Sequence, residues 1–129
     1  MSFFRVKYLS FFFGLVSIFS FFNIIYSYYF NLYLNLNTYY FSLIPSCIIA
    51  FLFYKLKFND IKPTIFEKIL TVFLGYILMP LILSIPFYLS IYNLSFLNSL
   101  FEAVSGFTST GFTVFENIKH MDQGLILWR

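Results

Sequence analysis

The sequence predicts an all-α integral membrane protein with three transmembrane helices, a short re-entrant segment and the start of a fourth span. The composition indicates a membrane protein because 60% of the 129 residues are hydrophobic and only 10% are charged, whereas soluble domains carry about 25% charged residues. Three apolar runs approach the roughly 20 residues that a transmembrane helix needs. A short, broken polar segment, Phe101 to Thr113, lies between the third run and another apolar stretch. Membrane proteins have few reasons to place such a segment between two spans.

The remaining composition argues against several classes of function. Cys47 is the only cysteine, so an intramolecular disulfide and a cysteine metal cluster are ruled out, and we interpret it as a small packing residue. The net charge of +3 does not indicate nucleic-acid binding, because the cations flank the hydrophobic runs and form no patch. No catalytic triad, carboxylate dyad or phosphate-binding loop is visible in the sequence, so we expect no enzyme activity. The 21 Phe and 11 Tyr residues carry no functional argument, since AT-rich codons favour both.

Two apolar runs form a predicted N-terminal two-span hairpin over residues 1–54. The first run, Tyr8 to Phe30, has about 23 residues, more than the roughly 7–15 of a signal-peptide core, and it lacks a small-residue cleavage site. We therefore predict a retained span. The second run, roughly Tyr39 to Tyr54, is on the short side for a span and contains Pro45 near its start. An uncharged polar stretch, Asn31 to Thr38, joins the two runs.

A basic segment and a proline-containing run follow the hairpin. Residues 55–68 contain Lys55, Lys57, Lys62 and Lys68, half of the eight Lys and Arg residues, and are predicted to form a cytoplasmic loop. The third run, Ile69 to Tyr92, is long enough to span a bilayer. Pro80 and Pro86 within it predict a kink. Neighbouring helices or water must then supply partners for the carbonyl groups that the prolines leave free.

The distribution of Lys and Arg orients the spans by the positive-inside rule. Arg5 and Lys7 precede the first span, residues 55–68 lie between the second and the third, and the loop between the first two spans has no charge. Both basic segments are therefore predicted to be cytoplasmic, which places the N-terminus in the cytoplasm. The third span then runs outward, and the segment Phe101 to Thr113 lies at the outer face.

A helix too short to span a bilayer is predicted after the third run. The triplet Asn93 to Ser95 can cap it, and it would cover residues 96–107, roughly 16 Å or half of a hydrocarbon core. Such a helix must re-enter the membrane or lie on its surface. Residues 113–123 are polar and are predicted to form an outer loop. The apolar run from Gly124 is predicted to begin an inner span that the sequence cuts short.

The residues after the short helix are of the types that a filter for a dehydrated cation requires. Thr108, Ser109 and Thr110 favour an extended backbone and carry hydroxyl oxygens. Gly111 can adopt a positive φ, which would swing one carbonyl into line with its neighbours. The competing interpretation is an ordinary helix-ending turn that Gly111 caps. The half-length helix, the outer-face topology and the flanking spans favour a re-entrant pore helix with an extended filter loop.

The C-terminal stretch FEAVSGFTSTGFTVFENIKHMDQGLILWR resembles the first pore repeat of the TrkH/KtrB superfamily of potassium-uptake proteins. That family shows a phrase close to F-E-(A/S)-x-S-G-x-T-T-T-G-(A/F)-T, then a polar loop and an aromatic-Arg pair. The residues in register are Phe101, Glu102, Ser105, Gly106, Thr108, Thr110, Gly111, Thr113, Trp128 and Arg129. Ser109 stands where Thr is usual but keeps the hydroxyl, and Phe112 is bulkier than the common Ala. The two spans before the repeat resemble the TrkH branch.

The resemblance implies a role for the residues of this stretch and for the whole chain. It places an ion-binding selectivity filter at Thr108, Ser109, Thr110, Gly111 and Phe112, supported by Glu102, Ser105 and Gly106. Residues 69–129 would be the first of four non-identical repeats that fold into one pore, so three repeats are missing here. It further implies potassium as the transported ion with no organic cofactor. The implied partners are membrane lipid, a second copy in a homodimer and a cytosolic nucleotide-binding regulatory subunit. The implied location is the bacterial plasma (inner) membrane.

Two ionisable residues near the filter segment have separate interpretations. Glu102 lies in the short helix, where a carboxylate at membrane depth indicates a function. We predict that it supports the filter by hydrogen bonding, with direct ion ligation as the alternative, because five residues of helix separate it from Thr108. His120 is the only histidine and is predicted to be a solvated residue of the outer loop.

Potassium transport by a pore-forming subunit fragment of a TrkH-like uptake system is therefore the main functional prediction. One alternative is a small structural membrane protein without transport activity, in which Gly111 caps a surface helix. Another is a minimal tetrameric channel with one loop per chain, which is disfavoured because the inner span is missing after Arg129.

Overall fold

The computed structural model describes residues 7–55, 64–116, 118 and 121–129. Its helices are α1 (Lys7–Tyr29), α2 (Leu36–Lys55), α3 (Ile65–Leu83), α4 (Ile85–Tyr88), α5 (Phe96–Phe107) and α6 (Gln123–Trp128). Strands do not occur in these described ranges. Three segments, Leu9–Tyr29, Leu36–Lys55 and Ile65–Tyr88, are long and apolar enough to cross a membrane. The prediction of an all-helical protein with three candidate membrane-spanning helices is confirmed.

Large apolar side chains cover the outside of the three long helices. Phe11 and Phe19 of α1, Phe51 of α2 and Phe73 of α3 are between 60% and 67% exposed. Exposed apolar surface on this scale marks a protein that faces lipid or further protein. The surface of the fold therefore agrees with the composition in indicating a membrane protein.

Helices α1 and α2 form an antiparallel hairpin in which small polar side chains bridge the two helices. The Ser10 hydroxyl donates to the Ala50 carbonyl at 2.8 Å, and the hydroxyls of Ser20 and Ser42 lie 3.1 Å apart. Such contacts are typical of helix pairs in membranes, where small residues let the backbones approach closely. Cys47, predicted to be a small packing residue, is exposed, and its sulfur lies 2.7 Å from the Ser17 hydroxyl of α1.

An apolar core joins this hairpin to the third span. It contains Leu9, Phe13 and Val16 of α1 together with Met79 and Ile82 of α3. The rings of Phe13 and Phe53, which lies on α2, are stacked with their centroids 6.5 Å apart. All three long helices therefore contribute side chains to one apolar core.

The ends of the helices that flank the basic segment differ from the sequence-based boundaries. Lys55 is the last residue of α2, and α3 begins at Ile65, before the predicted start at Ile69. The early start has a local cause, since Thr64 and Glu67 form a capping box. The Thr64 N–H donates to the Glu67 carboxylate at 2.9 Å. Lys68, predicted to lie in the loop, is therefore part of α3, and Arg5, Lys57 and Lys62 lie outside the described residues.

The third span is interrupted at Ser84, between the two prolines that predicted a kink. Pro80 lies inside α3, and Pro86 lies in the first turn of α4. The indole N–H of Trp128 donates to the Leu83 carbonyl at 3.0 Å. A residue of α6 therefore supplies a hydrogen-bond partner at the break, as a backbone surrounded by lipid requires.

A second apolar core places the short helix α5 against the end of the third span. Its buried residues are Phe87, Ala103, Met121 and Leu125. Phe87 belongs to α4, Ala103 to α5 and Leu125 to α6, so this core brings the three short helices together. The C-terminal end of α5 and the C-terminal end of α6 consequently lie side by side.

Candidate functional site

The short helix α5 turns its polar side inward and its apolar side outward. Ser99, Glu102 and Ser105 are buried, and none of the Glu102 side chain is exposed. On the opposite side Leu97 is 75% exposed and Phe101 is 47% exposed. A helix on a water-facing surface has the reverse arrangement, and an interfacial helix keeps its polar side in water. The pattern of α5 suits a helix whose outer side meets lipid or further protein.

A Schellman motif closes the C-terminal end of α5. The Ser109 N–H donates to the Gly106 carbonyl at 3.1 Å, and the Thr110 N–H donates to the Ser105 carbonyl at 3.0 Å. Ser109 takes the left-handed position of this motif, with a φ of 57°, where glycine is the usual residue. Gly111 lies two residues beyond that position. The interpretation in which Gly111 caps the helix is therefore wrong.

The hydroxyl-rich segment is not extended throughout. Thr108 has φ −89° and ψ 0°, and Ser109 is left-handed, so both residues belong to the helix-ending turn. The expectation of an extended backbone at these two positions is wrong, because the last carbonyls of a helix need partners and the N–H groups of the next residues supply them. Gly111 has a φ of 80°, the positive value that its lack of a side chain permits.

The threonine hydroxyls of the segment stabilise the turn. The Thr108 hydroxyl donates to the Val104 carbonyl at 2.7 Å, and the Thr110 hydroxyl donates to the Ser105 carbonyl at 3.2 Å. Within the described part of the chain, no hydrogen bond reaches the carbonyl oxygens of Thr108, Ser109 and Thr110. These residues are also exposed. The main-chain oxygens of residues 108–110 are therefore the groups that the loop leaves open to an ion.

The buried side chain of Glu102 contacts the segment that follows the loop. One carboxylate oxygen accepts hydrogen bonds from the Thr113 hydroxyl, at 2.7 Å, and from the Val114 N–H. The other oxygen lies 3.2 Å from Nε of Arg129, whose side chain is only 16% exposed. One carboxylate oxygen is thus hydrogen-bonded to the segment after the loop, and the other is ion-paired with Arg129 but has no hydrogen bond within the described residues. This geometry favours the supporting role for Glu102 over ion ligation.

Arg129 contacts the end of the loop through its guanidinium group. Its Nη2 donates to the Gly111 carbonyl at 3.1 Å and to the Phe112 carbonyl at 2.8 Å. The Ser105 hydroxyl donates to the same Phe112 carbonyl at 2.6 Å. A carbonyl oxygen has two lone pairs, so in this structure Phe112 has none left for an ion. The Gly111 carbonyl, with one donor, keeps a lone pair, and both residues remain among the ion-binding residues that the resemblance implies.

Gly106 permits the close approach of α5 to Arg129. A Cβ atom at position 106 would lie 2.6 Å from the Arg129 carbonyl oxygen, and a contact that short would push the backbones apart. The three residues predicted to support the filter, Glu102, Ser105 and Gly106, therefore all contact either the loop or the arginine that holds it.

Sequence reasoning assigned no role to Thr113 and Arg129, although both are in register with the family phrase. Their spacing from Glu102, 11 and 27 positions along the chain, follows no helical period and so gave no indication of contact. His120 lies outside the described residues. Groups of three or more His, Cys, Asp or Glu side chains that could hold a metal ion are absent from the described ranges.

The sequence was compared with those of known proteins. Over 102 residues it is 28% identical to a protein of Methanocaldococcus jannaschii named as an uncharacterized cation transporter. This chain is similar to a cation transporter. The match covers 77% of this chain and 21% of the relative, so the chain spans about a fifth of the relative's length. No protein-family model matches the chain, and no solved structure matches it.

Proposed function

We propose that this chain is part of the pore-forming subunit of a TrkH-like potassium uptake protein, with residues 108–112 as the filter segment of its first pore repeat. Potassium would pass through the pore passively, with no covalent chemistry. The similarity to a cation transporter supports ion transport as the class of function. The resemblance of residues 101–129 to a TrkH/KtrB repeat supports potassium as the ion and TrkH-like proteins as the family.

The observation on which the proposal rests is the arrangement of the loop between α5 and Arg129. Three consecutive carbonyl oxygens, those of Thr108 to Thr110, receive no hydrogen bond within the described part of the chain, and they follow the C-terminal end of a helix. Carbonyl oxygens can replace the hydration shell of a cation, and the helix dipole adds negative potential at this end. Arg129 lies close by, but its charge is balanced by Glu102 at 3.2 Å.

Two features of α5 argue against a small structural membrane protein. Gly111 is not the helix cap, so its positive φ has no capping role. The buried polar side and the exposed apolar side of α5 do not suit a helix on a water-facing surface. Both features suit a pore helix that is surrounded by lipid and by the other repeats of a pore.

The remainder of the pore would come from chain beyond this repeat. One loop supplies only a quarter of the ion cage in a four-repeat pore, and the chain corresponds to 21% of its relative's length. The exposed side chains of Leu97 and Phe112, 75% and 70% exposed, offer a surface for the other three repeats. The homodimer, the nucleotide-binding regulatory subunit and the bacterial inner membrane rest on the resemblance alone.

Potassium uptake in cells that lack their own uptake systems tests the proposed function. We expect the complete polypeptide encoded by the gene to restore growth at low potassium, and a polypeptide ending at Arg129 to restore none, because it has one loop. Rubidium influx measured at equal membrane abundance is the quantitative readout. Influx through the polypeptide ending at Arg129 would instead support the minimal tetramer. No influx through either polypeptide would contradict potassium transport.

The proposed topology places the N-terminus and residues 56–63 in the cytoplasm and the loop 108–112 outside. In a protein with Cys47 replaced by serine, we expect Leu34→Cys to react with an impermeant maleimide from the outer side. Ile65→Cys should react only after the membrane is permeabilised. Leu34 is 70% exposed and Ile65 is 77% exposed, so burial does not hinder either reaction. The reverse pattern would invert the topology and remove the support that it gives to the pore loop.

A further inference from the structure

A second buried polar cluster, formed by residues outside the filter loop, joins the α1–α2 hairpin to the start of α6. The Asn35 amide donates to the Asp122 carboxylate at 2.9 Å and accepts from the Ile91 N–H at 3.1 Å. The Asn23 amide donates to the Gly124 carbonyl at 3.1 Å. Asp122 precedes α6, but its side chain makes no capping hydrogen bond. It is turned toward the cluster instead.

Four oxygen atoms in this cluster are buried and have no hydrogen-bond partner among the residues that the structure describes. They are Asn23 Oδ1, Ser27 Oγ, the Tyr39 hydroxyl and Asp122 Oδ1. The side chains are 2%, 0%, 0% and 8% exposed, respectively. A buried polar group without a partner costs roughly 1–3 kcal/mol. Four such atoms, on side chains that all reach Gly124, indicate that a ligand belongs there.

Gly124 is the point around which these side chains meet. A Cβ atom added to it would lie 2.8 Å from the Tyr39 hydroxyl, 3.2 Å from Ser27 Oγ and 3.5 Å from Asp122 Oδ2. The Asn23 side chain reaches the same residue through its carbonyl. The lack of a Cβ at Gly124 therefore leaves room for the oxygens of Ser27, Tyr39 and Asp122 to lie close to the same residue.

The donor set indicates the charge of the ligand. All four unpartnered atoms are oxygens, the ligand type of hard cations, and only one of them belongs to a carboxylate. A single positive charge would match the one carboxylate of the set, that of Asp122. A divalent ion would require more acidic ligands, and the described residues contain no group of three that could hold one.

We propose that Asn23, Ser27, Tyr39 and Asp122 bind a monovalent alkali cation, sodium or potassium, at a site built by residues other than those of the filter loop. The bound ion would link the N-terminal hairpin to the pore repeat, since its ligands come from both. The site does not depend on the proposed filter, because it shares no residue with it.

Thermal unfolding of the complete protein in detergent tests this site. We expect sodium or potassium chloride to raise the melting temperature by about 2 °C or more over choline chloride at equal ionic strength. Separate sodium and potassium titrations identify the preferred ion. The measurement is made in a Gly111→Ser background, so that ion binding at the filter contributes less to the change in melting temperature.

Ser27→Ala and Ser20→Ala form a matched pair for this test. Both serines lie on α1 and are fully buried, but the Ser20 hydroxyl already donates to the Val16 carbonyl at 2.9 Å. We expect Ser27→Ala and Tyr39→Phe to remove most of the cation-dependent shift and Ser20→Ala to preserve it. The proposal would be overturned if cations did not change the melting temperature of the parent protein, or if they changed it equally in the parent, Ser27→Ala and Tyr39→Phe proteins. Water would then be the partner of these oxygens. These mild variants decide the question even if Asp122→Asn does not fold.

Discussion

Potassium uptake by the complete protein is expected to fall about tenfold or more when Glu102 is replaced by alanine. The substitution removes the acceptor of the Thr113 hydroxyl and the Val114 N–H, and it leaves the largely buried Arg129 without its counter-charge. Breaking a buried ion pair by removing one partner costs about 3–5 kcal/mol. Arg129 also holds the Gly111 and Phe112 carbonyls, so the loop would lose its position. Rubidium influx, normalised to membrane abundance, measures the effect.

Two further carboxylate substitutions separate the effect of losing the charge from the effect of losing the acceptor oxygens. Glu102→Gln keeps an acceptor oxygen for Thr113 but loses the charge, so we expect an intermediate loss of uptake. Glu116→Gln makes the same chemical change at an exposed position that follows the loop, and we expect no loss. Equal uptake by the Glu102→Ala protein and its parent would show that the filter does not depend on this support.

Replacing Gly111 with serine is expected to weaken potassium binding and to reduce discrimination against sodium while leaving membrane insertion intact. The φ of Gly111 is 80°, and a left-handed conformation costs a residue with a side chain roughly 1–2 kcal/mol. A Cβ added at Gly111 meets no described atom within 4 Å beyond its two chain neighbours, so we expect the effect to come from the backbone. Relaxation of that strain would turn the carbonyls that Arg129 holds and displace those of residues 108–110.

Gly14→Ser provides the matched control, because a Cβ there also meets nothing within 4 Å but the residue lies inside the helix α1. We expect Gly14→Ser to leave the ratio of potassium to sodium uptake unchanged. Thr108→Val should have a smaller effect than Gly111→Ser, since it removes a hydroxyl that bonds within the turn and keeps the carbonyl oxygen. Competitive uptake of the two ions, normalised to protein in the membrane, measures all three variants. An unchanged ratio in Gly111→Ser would remove Gly111 from the filter.

Local patterns in the sequence were enough to place the helices. Apolar runs of spanning length predicted the three long helices, because lipid requires a helix to satisfy its own backbone. Ser95 accepts a hydrogen bond from the Asn98 N–H at 3.3 Å, and the helix that it caps covers Phe96–Phe107. These features depend on residues within about one helical turn of each other, so they can be read along the chain. The start of α3 was missed only because the Thr64–Glu67 capping box was overlooked.

Only the tertiary structure decided how the filter segment is held. The partners of Glu102 and of the Gly111 and Phe112 carbonyls lie 7 to 27 positions away along the chain, and the tertiary fold brings them together. The same holds for Asn35 and Asp122, which are 87 positions apart. Hydropathy and residue spacing describe how one helix meets lipid. They do not describe which buried polar groups meet each other, because that depends on how separate helices pack.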